Sequence, residues 1–172
     1  MKKITTWMLA AAGCFAFASC SDDDNGNPQG GGEDTLAGVY RLTTWTSPIG
    51  QDLDGDGDSS ANLMTEHSCY TGGTITLNED GTFTSTSNTV FTTDGELDCT
   101  SETINGIWTE AGSSITMTNG VGSETAETEF NLSTDNTVLT TTGPGEYPIF
   151  FENNIILEPG VITKVYVKDQ AQ

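Results

Sequence analysis

Basic side chains are scarce in this chain. Beyond position 20 only Arg41, Lys164 and Lys168 carry positive charge, against 25 acidic residues, a formal charge of −22 for that stretch. A phosphate backbone is bound by clustered Lys and Arg that release counterions, so nucleic acid is excluded as a partner. The same charge repels anionic head groups, and any membrane association must come from a hydrophobic anchor. Histidine is scarcer still. His67 stands alone, with no Gly-x-Ser-x-Gly elbow, phosphate-binding glycine loop or His-Glu-x-x-His pattern beside it, and the chain is read as no enzyme. Paired carboxylates suited to glycan hydrolysis carry no information where 25 acids make some pair inevitable. Long apolar runs are missing except at the start, where Ile4 to Ala18 follows Lys2 and Lys3. That run is too short for a transmembrane helix, and its charged start, apolar middle and small-residue end are those of an export signal.

The end of the signal, Phe17-Ala18-Ser19-Cys20, resembles the lipobox of bacterial lipoproteins. The resemblance implies that residues 1–19 are a signal peptide and that the mature chain begins at Cys20, acylated with palmitate-type chains. Cys14, after Ala11-Ala12-Gly13, is a rival site that leaves an apolar stretch of only about nine residues. Ser21-Asp22-Asp23-Asp24 resembles the acidic tag by which one large group of Gram-negative bacteria sends lipoproteins to the cell surface, which implies an outer-membrane, surface-exposed location. Residues 20–33 then form an acidic, Gly-rich tether with nothing to bury. Residues 34–172, roughly 140 in number, suit one domain with a single modest core, expected to be monomeric.

Beyond Asp34 short runs rich in Thr, Val, Ile and aromatics alternate with Gly, Asn and Asp turns. They predict strands at Val39–Trp45, Thr74–Asn78, Thr82–Ser87, Thr89–Thr93, Ser101–Thr109, Ser114–Thr118, Thr125–Leu132, Thr137–Thr142, Tyr147–Leu157, either whole or broken once, and Val161–Lys168. Asn78-Glu79-Asp80-Gly81 is a hairpin turn, since Asp-Gly accepts the positive φ that tight turns need. Glu110-Ala111-Gly112 and Thr134-Asp135-Asn136 close two more. In the last run Val161, Thr163, Val165 and Val167 oppose Ile162, Lys164, Tyr166 and Lys168, one face buried and the other wet. Sequential antiparallel strands make either a sandwich or an all-β, up-and-down meander closing into a barrel of about eight to ten strands. The barrel is preferred because closure removes exposed edges.

Leu36-Ala37-Gly38-Val39-Tyr40-Arg41-Leu42, Asp52-Leu53-Asp54-Gly55-Asp56-Gly57, Cys69, Leu77-Asn78-Glu79-Asp80-Gly81-Thr82-Phe83, Cys99 and Gly106-Ile107-Trp108 occur in an order that resembles the lipocalin-like domains of bacterial surface lipoproteins. The resemblance covers nearly all of residues 34–168. Where lipocalins open with Gly-x-Trp, this chain has Gly38-Val39-Tyr40. What the resemblance implies is a barrel with an apolar cavity for a small apolar or mixed ligand. Tyr40, Trp45, Phe83, Trp108, Ile115 and Phe130 are the candidates to line it. The competing reading is a filled barrel in which these side chains are core and the loops contact a protein or glycan.

Asp52-Leu53-Asp54-Gly55-Asp56-Gly57-Asp58 matches the first six positions of a calcium loop, where acids at alternate positions and a glycine let backbone wrap a hard cation. Position twelve, which should supply a bidentate Glu, is Leu63, and the nearest acid is Glu66. Either the loop is an acidic turn, or Asp52, Asp54, Asp56 and Asp58 hold calcium with the weak affinity of extracellular modules. Assigning Cys14 to the signal and Cys20 to lipid leaves Cys69 and Cys99, which an oxidising envelope joins as a disulfide. A zinc reading through His67, Cys69 and Cys99 lacks a fourth ligand and paired spacing.

Overall fold

The computed structural model describes residues 35–122, 124–151 and 154–170; the signal, the tether and Cys20 lie outside them. Nine strands, β1 Gly38–Gln51, β2 Ser60–Asn62, β3 Thr74–Leu77, β4 Thr82–Thr93, β5 Glu96–Ala111, β6 Ser114–Val121, β7 Glu124–Leu132, β8 Val138–Phe151 and β9 Asn154–Lys168, form one antiparallel sheet. From β3 to β9 each strand pairs with the next, and β9 returns to β1 over Tyr40–Thr46, closing an eight-stranded barrel. The ninth strand, β2, pairs with the far half of β1, continuing the line of β3. A short helix, α1 (Leu63–Glu66), and a 3₁₀ turn, Ser68–Gly72, connect β2 to β3.

The predicted turns lie where tight-turn chemistry put them. Gly81 has φ 81°, and Asp80 Oδ1 accepts from the Thr82 amide (2.9 Å) and hydroxyl (2.6 Å). Asn136 takes φ 57°, and Asp135 accepts from the Ser133 hydroxyl at 2.6 Å. Two expectations are corrected. Thr82–Ser87 and Thr89–Thr93 are one strand, because Asn88 keeps its ladder place while its side-chain amide donates to the Cys69 carbonyl at 2.8 Å. The run Tyr147–Leu157 does break, and its halves are not separate strands: β8 runs on from Val138 through Pro148 to Phe151, and β9 from Asn154 to Lys168.

That hairpin carries three prolines. Pro144 and Pro148 on β8 and Pro159 on β9 all sit in register within the β8–β9 ladder. A strand residue directs its N–H to one side only, and proline is tolerated where that side has no partner. On its other side β8 pairs with β7 at only two positions, Asn131↔Thr140 and Leu132↔Leu139. On its other side β9 meets β1 only from Thr163 onward. Residues 143–151 and 154–162 therefore form a two-stranded ribbon rising past the ladders on either side.

The core fills the end of the barrel that carries the start of β1. Tyr40, Ile75, Leu77, Phe83, Ile115 and Leu139 are fully enclosed, with Phe130 and Tyr166 edge to face beside them at 6.0 Å. The Tyr40 hydroxyl reaches the carbonyls of Leu36 (2.9 Å) and Asn136 (3.0 Å), which ties the entering chain to the β7–β8 turn. A second buried group, Leu42, Trp45, Leu63, Tyr70 and Val90, packs under the α1 connection. Gly106 is required by this packing, since a Cβ there would lie 2.6 Å from the Phe83 ring and 2.1 Å from the Thr118 carbonyl oxygen.

Candidate ligand cavity and acidic loop

Above the core, the inward-facing side chains shrink. A strand presents every second residue to one face, so each series reads directly along its strand. On β4 the inward series runs Phe83, Ser85, Ser87; on β7, Phe130, Thr128; on β8, Leu139, Thr141, Gly143. The space they leave is a cavity of about 290 Å³ floored by Ile75, Met117, Phe130 and Tyr166 and walled by Ser85, Ser87, Ile104, Thr128, Thr141, Gly143, Pro144, Ile162 and Lys164. The lining is apolar with interspersed hydroxyls, and Lys164 is its charged member.

A bulge in β1 sets the packing beside the cavity. Leu42 pairs with Tyr166 and Thr44 with Val165, so Thr43 is an extra residue and the alternation of β1 slips by one. Trp45 and Ser47 therefore turn inward, where unbroken alternation from Tyr40 and Leu42 would have exposed them. Asn62 holds the slipped strand: its Oδ1 accepts the Trp45 amide (3.1 Å) and caps α1 through the Met64 amide (3.3 Å). Trp45 stacks edge-on to Tyr70 at 4.8 Å, and its ring lies 4.3 Å from Lys164 Nζ. Its buried Nε1 has no hydrogen-bond partner. Burial pulls the Lys164 ammonium below the usual lysine pKa and pushes the Tyr166 phenol up to about 12.

Of the six aromatic and aliphatic candidates, Phe130 lines this cavity. Tyr40, Phe83 and Ile115 are core beneath it, and Trp45 is core beside it. Trp108 covers the β3–β4 turn, its Nε1 donating to the Asn78 carbonyl at 3.0 Å. The alternation of β9 has its inner face on Ile162, Lys164 and Tyr166, while the valines face outward, Val161 being 63% exposed. Large side chains marked the floor; the cavity itself is written in small residues two positions beyond them, a signal visible along β4 and β8.

The acidic loop folds around Asp52, whose carboxylate accepts the amides of Gly55 (2.8 Å) and Gly57 (3.1 Å). Asp54 and Asp56 accept the amides two residues on, at 3.3 and 2.8 Å. Glu66, buried at the end of α1, accepts the Leu53 amide at 3.2 Å. Carboxylate oxygens of Asp52, Asp54 and Glu66 lie within 4.8 Å of one another, whereas Asp56 and Asp58 are not in that group. Of the four loop acids, Asp52 and Asp54 thus gather with Glu66 of the helix, because the chain between Asp58 and Leu63 runs back along β1 as β2.

Cys69 and Cys99 are joined, which removes both thiolates from the zinc reading. His67 Nδ1 instead accepts the Cys69 amide at 3.1 Å and caps the 3₁₀ turn. Among the described residues no helix is long and apolar enough to cross a membrane. No protein-family model matches this chain, and no curated protein matches its sequence.

Proposed function

We propose that this chain is a lipoprotein anchored through Cys20 in the outer membrane, displayed at the cell surface as a monomer, whose barrel binds a small apolar or mixed ligand and catalyses no reaction. The observation that carries the binding reading is the cavity of about 290 Å³ left above the core, with an apolar floor and walls that add hydroxyls and one ammonium, a make-up suited to a small-molecule site. The anchor reading rests on Lys2, Lys3, the Ile4–Ala18 run and Cys20. In the acidic loop Asp52, Asp54 and Glu66 form a candidate calcium site that would brace the 52–58 segment against α1.

One observation favours a second reading, an accessory protein that contacts a protein or glycan. Phe150, Phe151, Ile156 and Leu157 at the tip of the β8–β9 ribbon are exposed. Native mass spectrometry of the mature chain, purified from cells of a Gram-negative host, separates the two. An apolar adduct present in wild type and lost in Ser87→Leu, which fills the cavity, supports the carrier. A bare mass in both, with the fold intact, moves the assignment to the accessory role.

A further inference from the structure

The charge inside the barrel is opposite to the charge outside it. Beyond Cys20 the chain has three cations and 25 acids. Arg41 pairs with Asp169 at 2.8 Å, and Lys168 donates to the Thr35 carbonyl. Lys164 lies in the cavity wall, and among the described residues no carboxylate is within ion-pair distance of it. No Asp or Glu belongs to the lining. The inward alternation of β7 explains this locally: Thr128 and Phe130 face the cavity, while Glu127 and Glu129 on the same strand are exposed.

Lys164 is half-buried, an ammonium withdrawn from water is costly unless it is paired, and in a chain this acidic a partner is easily supplied. What Lys164 has instead is a π face. Trp45 and Lys164 are direct cross-strand partners, and the indole beneath Nζ attracts the cation without neutralising it. The same indole contributes the orphaned buried donor Nε1. On the other side Thr141 of β8, the cross-strand partner of Lys164, adds a hydroxyl to the lining. Where apolar floor gives way to polar wall the lining thus holds a cation and a hydroxyl, and no carboxylate faces them.

We propose that the cavity takes an organic monoanion, a compact amphiphile whose carboxylate-type head sits at Lys164 and whose apolar body lies on Ile75, Met117 and Phe130. This rests on the reading of the barrel as a ligand carrier and adds the ligand's charge. Taking the ~30 Å³ share of one water in the liquid as a yardstick, the space holds about ten non-hydrogen atoms, the size of an eight-carbon carboxylate.

Isothermal titration calorimetry on the mature chain carrying Cys20→Ala tests it with octanoate, 1-octanol and octylammonium as probes of one length and three charges. Octanoate is expected to bind at least tenfold tighter than 1-octanol, and octylammonium more weakly than either. Lys164→Met should remove the octanoate preference while leaving octanol affinity within about twofold, and Lys164→Arg should keep the preference. Equal affinities for octanoate and octanol in wild type, or a preference that survives Lys164→Met, would overturn the anion assignment while the carrier reading stands. If none of the three binds to the folded protein, both fall.

Discussion

Lys164 Nζ lies 4.3 Å from the centre of the Trp45 ring, its direct cross-strand neighbour, on the inner face of the barrel. The contact exists only because the bulge at Thr43 turns Trp45 inward. A lysine and an indole that would otherwise point to opposite faces are thereby brought together.

Lys164→Met should stabilise the fold. The ammonium's pKa is lowered by burial, so the folded state favours the neutral form and binds fewer protons than the unfolded chain. Wild-type stability therefore rises with pH between the lowered value and the ordinary lysine value, as protonation of the unfolded state ceases to compete. Urea denaturation at pH 7 should show the variant more stable by about 0.5–1 kcal/mol, the size common when a functional residue is replaced by a packing one. The difference should narrow as pH is raised toward 10.5, the ordinary lysine value. A variant less stable than wild type at pH 7 would mean that the cation–π contact outweighs desolvation.

Removing the cross-link should be far more costly. Cys69 and Cys99 close a loop with a sequence separation of 30 and bind the α1 connection to the start of β5. The double variant Cys69→Ser, Cys99→Ser should lose about 3–4 kcal/mol in the chain-entropy model, read as a lower denaturation midpoint with a somewhat steeper slope, since the unlinked unfolded chain exposes more surface.

Acid should loosen two hairpin turns first. Asp80 and Asp135 have carboxyls held below the usual range by hydrogen bonds, Asp80 chiefly from the Thr82 hydroxyl and Asp135 chiefly from that of Ser133. A carboxylate with a lowered folded pKa stabilises the fold above its unfolded value, and that stability is lost as pH falls through the folded one. Amide exchange at Thr82 and Thr137 should accelerate below about pH 4. Asp80→Asn should make exchange at Thr82 insensitive to pH over that window, after correction for the intrinsic rate.

Calcium should raise the melting temperature if Asp52, Asp54 and Glu66 hold it. With the 10⁻⁴ to 10⁻³ M affinity of extracellular modules, 5 mM calcium would add about 1–2 kcal/mol. Scanning calorimetry with calcium and with chelator should show a shift of a few degrees that Glu66→Gln abolishes and Asp58→Asn leaves in place. Loss of the shift in Asp58→Asn alone would restore the predicted loop set.

The strand order and turns were legible because they rest on local chemistry: Asp80-Gly81, Gly112 and Asn136 sit where backbone must turn. The full length of the β8–β9 hairpin was not, since Pro144, Pro148 and Pro159 fit a strand only where their edges have no partners, which is a tertiary fact. Trp45 read as a lining candidate from its type, but which way it faces depends on a bulge that alternation cannot show. The acid cluster needed tertiary contact, because Glu66 reaches Asp52 and Asp54 only after β2 folds back along β1.

The two-rung seam between β7 and β8 leaves the ring closed but not edgeless. Above Leu132 the backbone of β7 presents amides and carbonyls on its β8 side to whatever strand comes near, the circumstance in which proteins stick to copies of themselves. Glu124, Glu127 and Glu129 are exposed along that stretch. An incoming copy would bring the same carboxylates against them, and like charges directly opposite one another destabilise a strand pair. Part of the chain's acidity thus acts as a gatekeeper, keeping an open seam from becoming the start of a fibre.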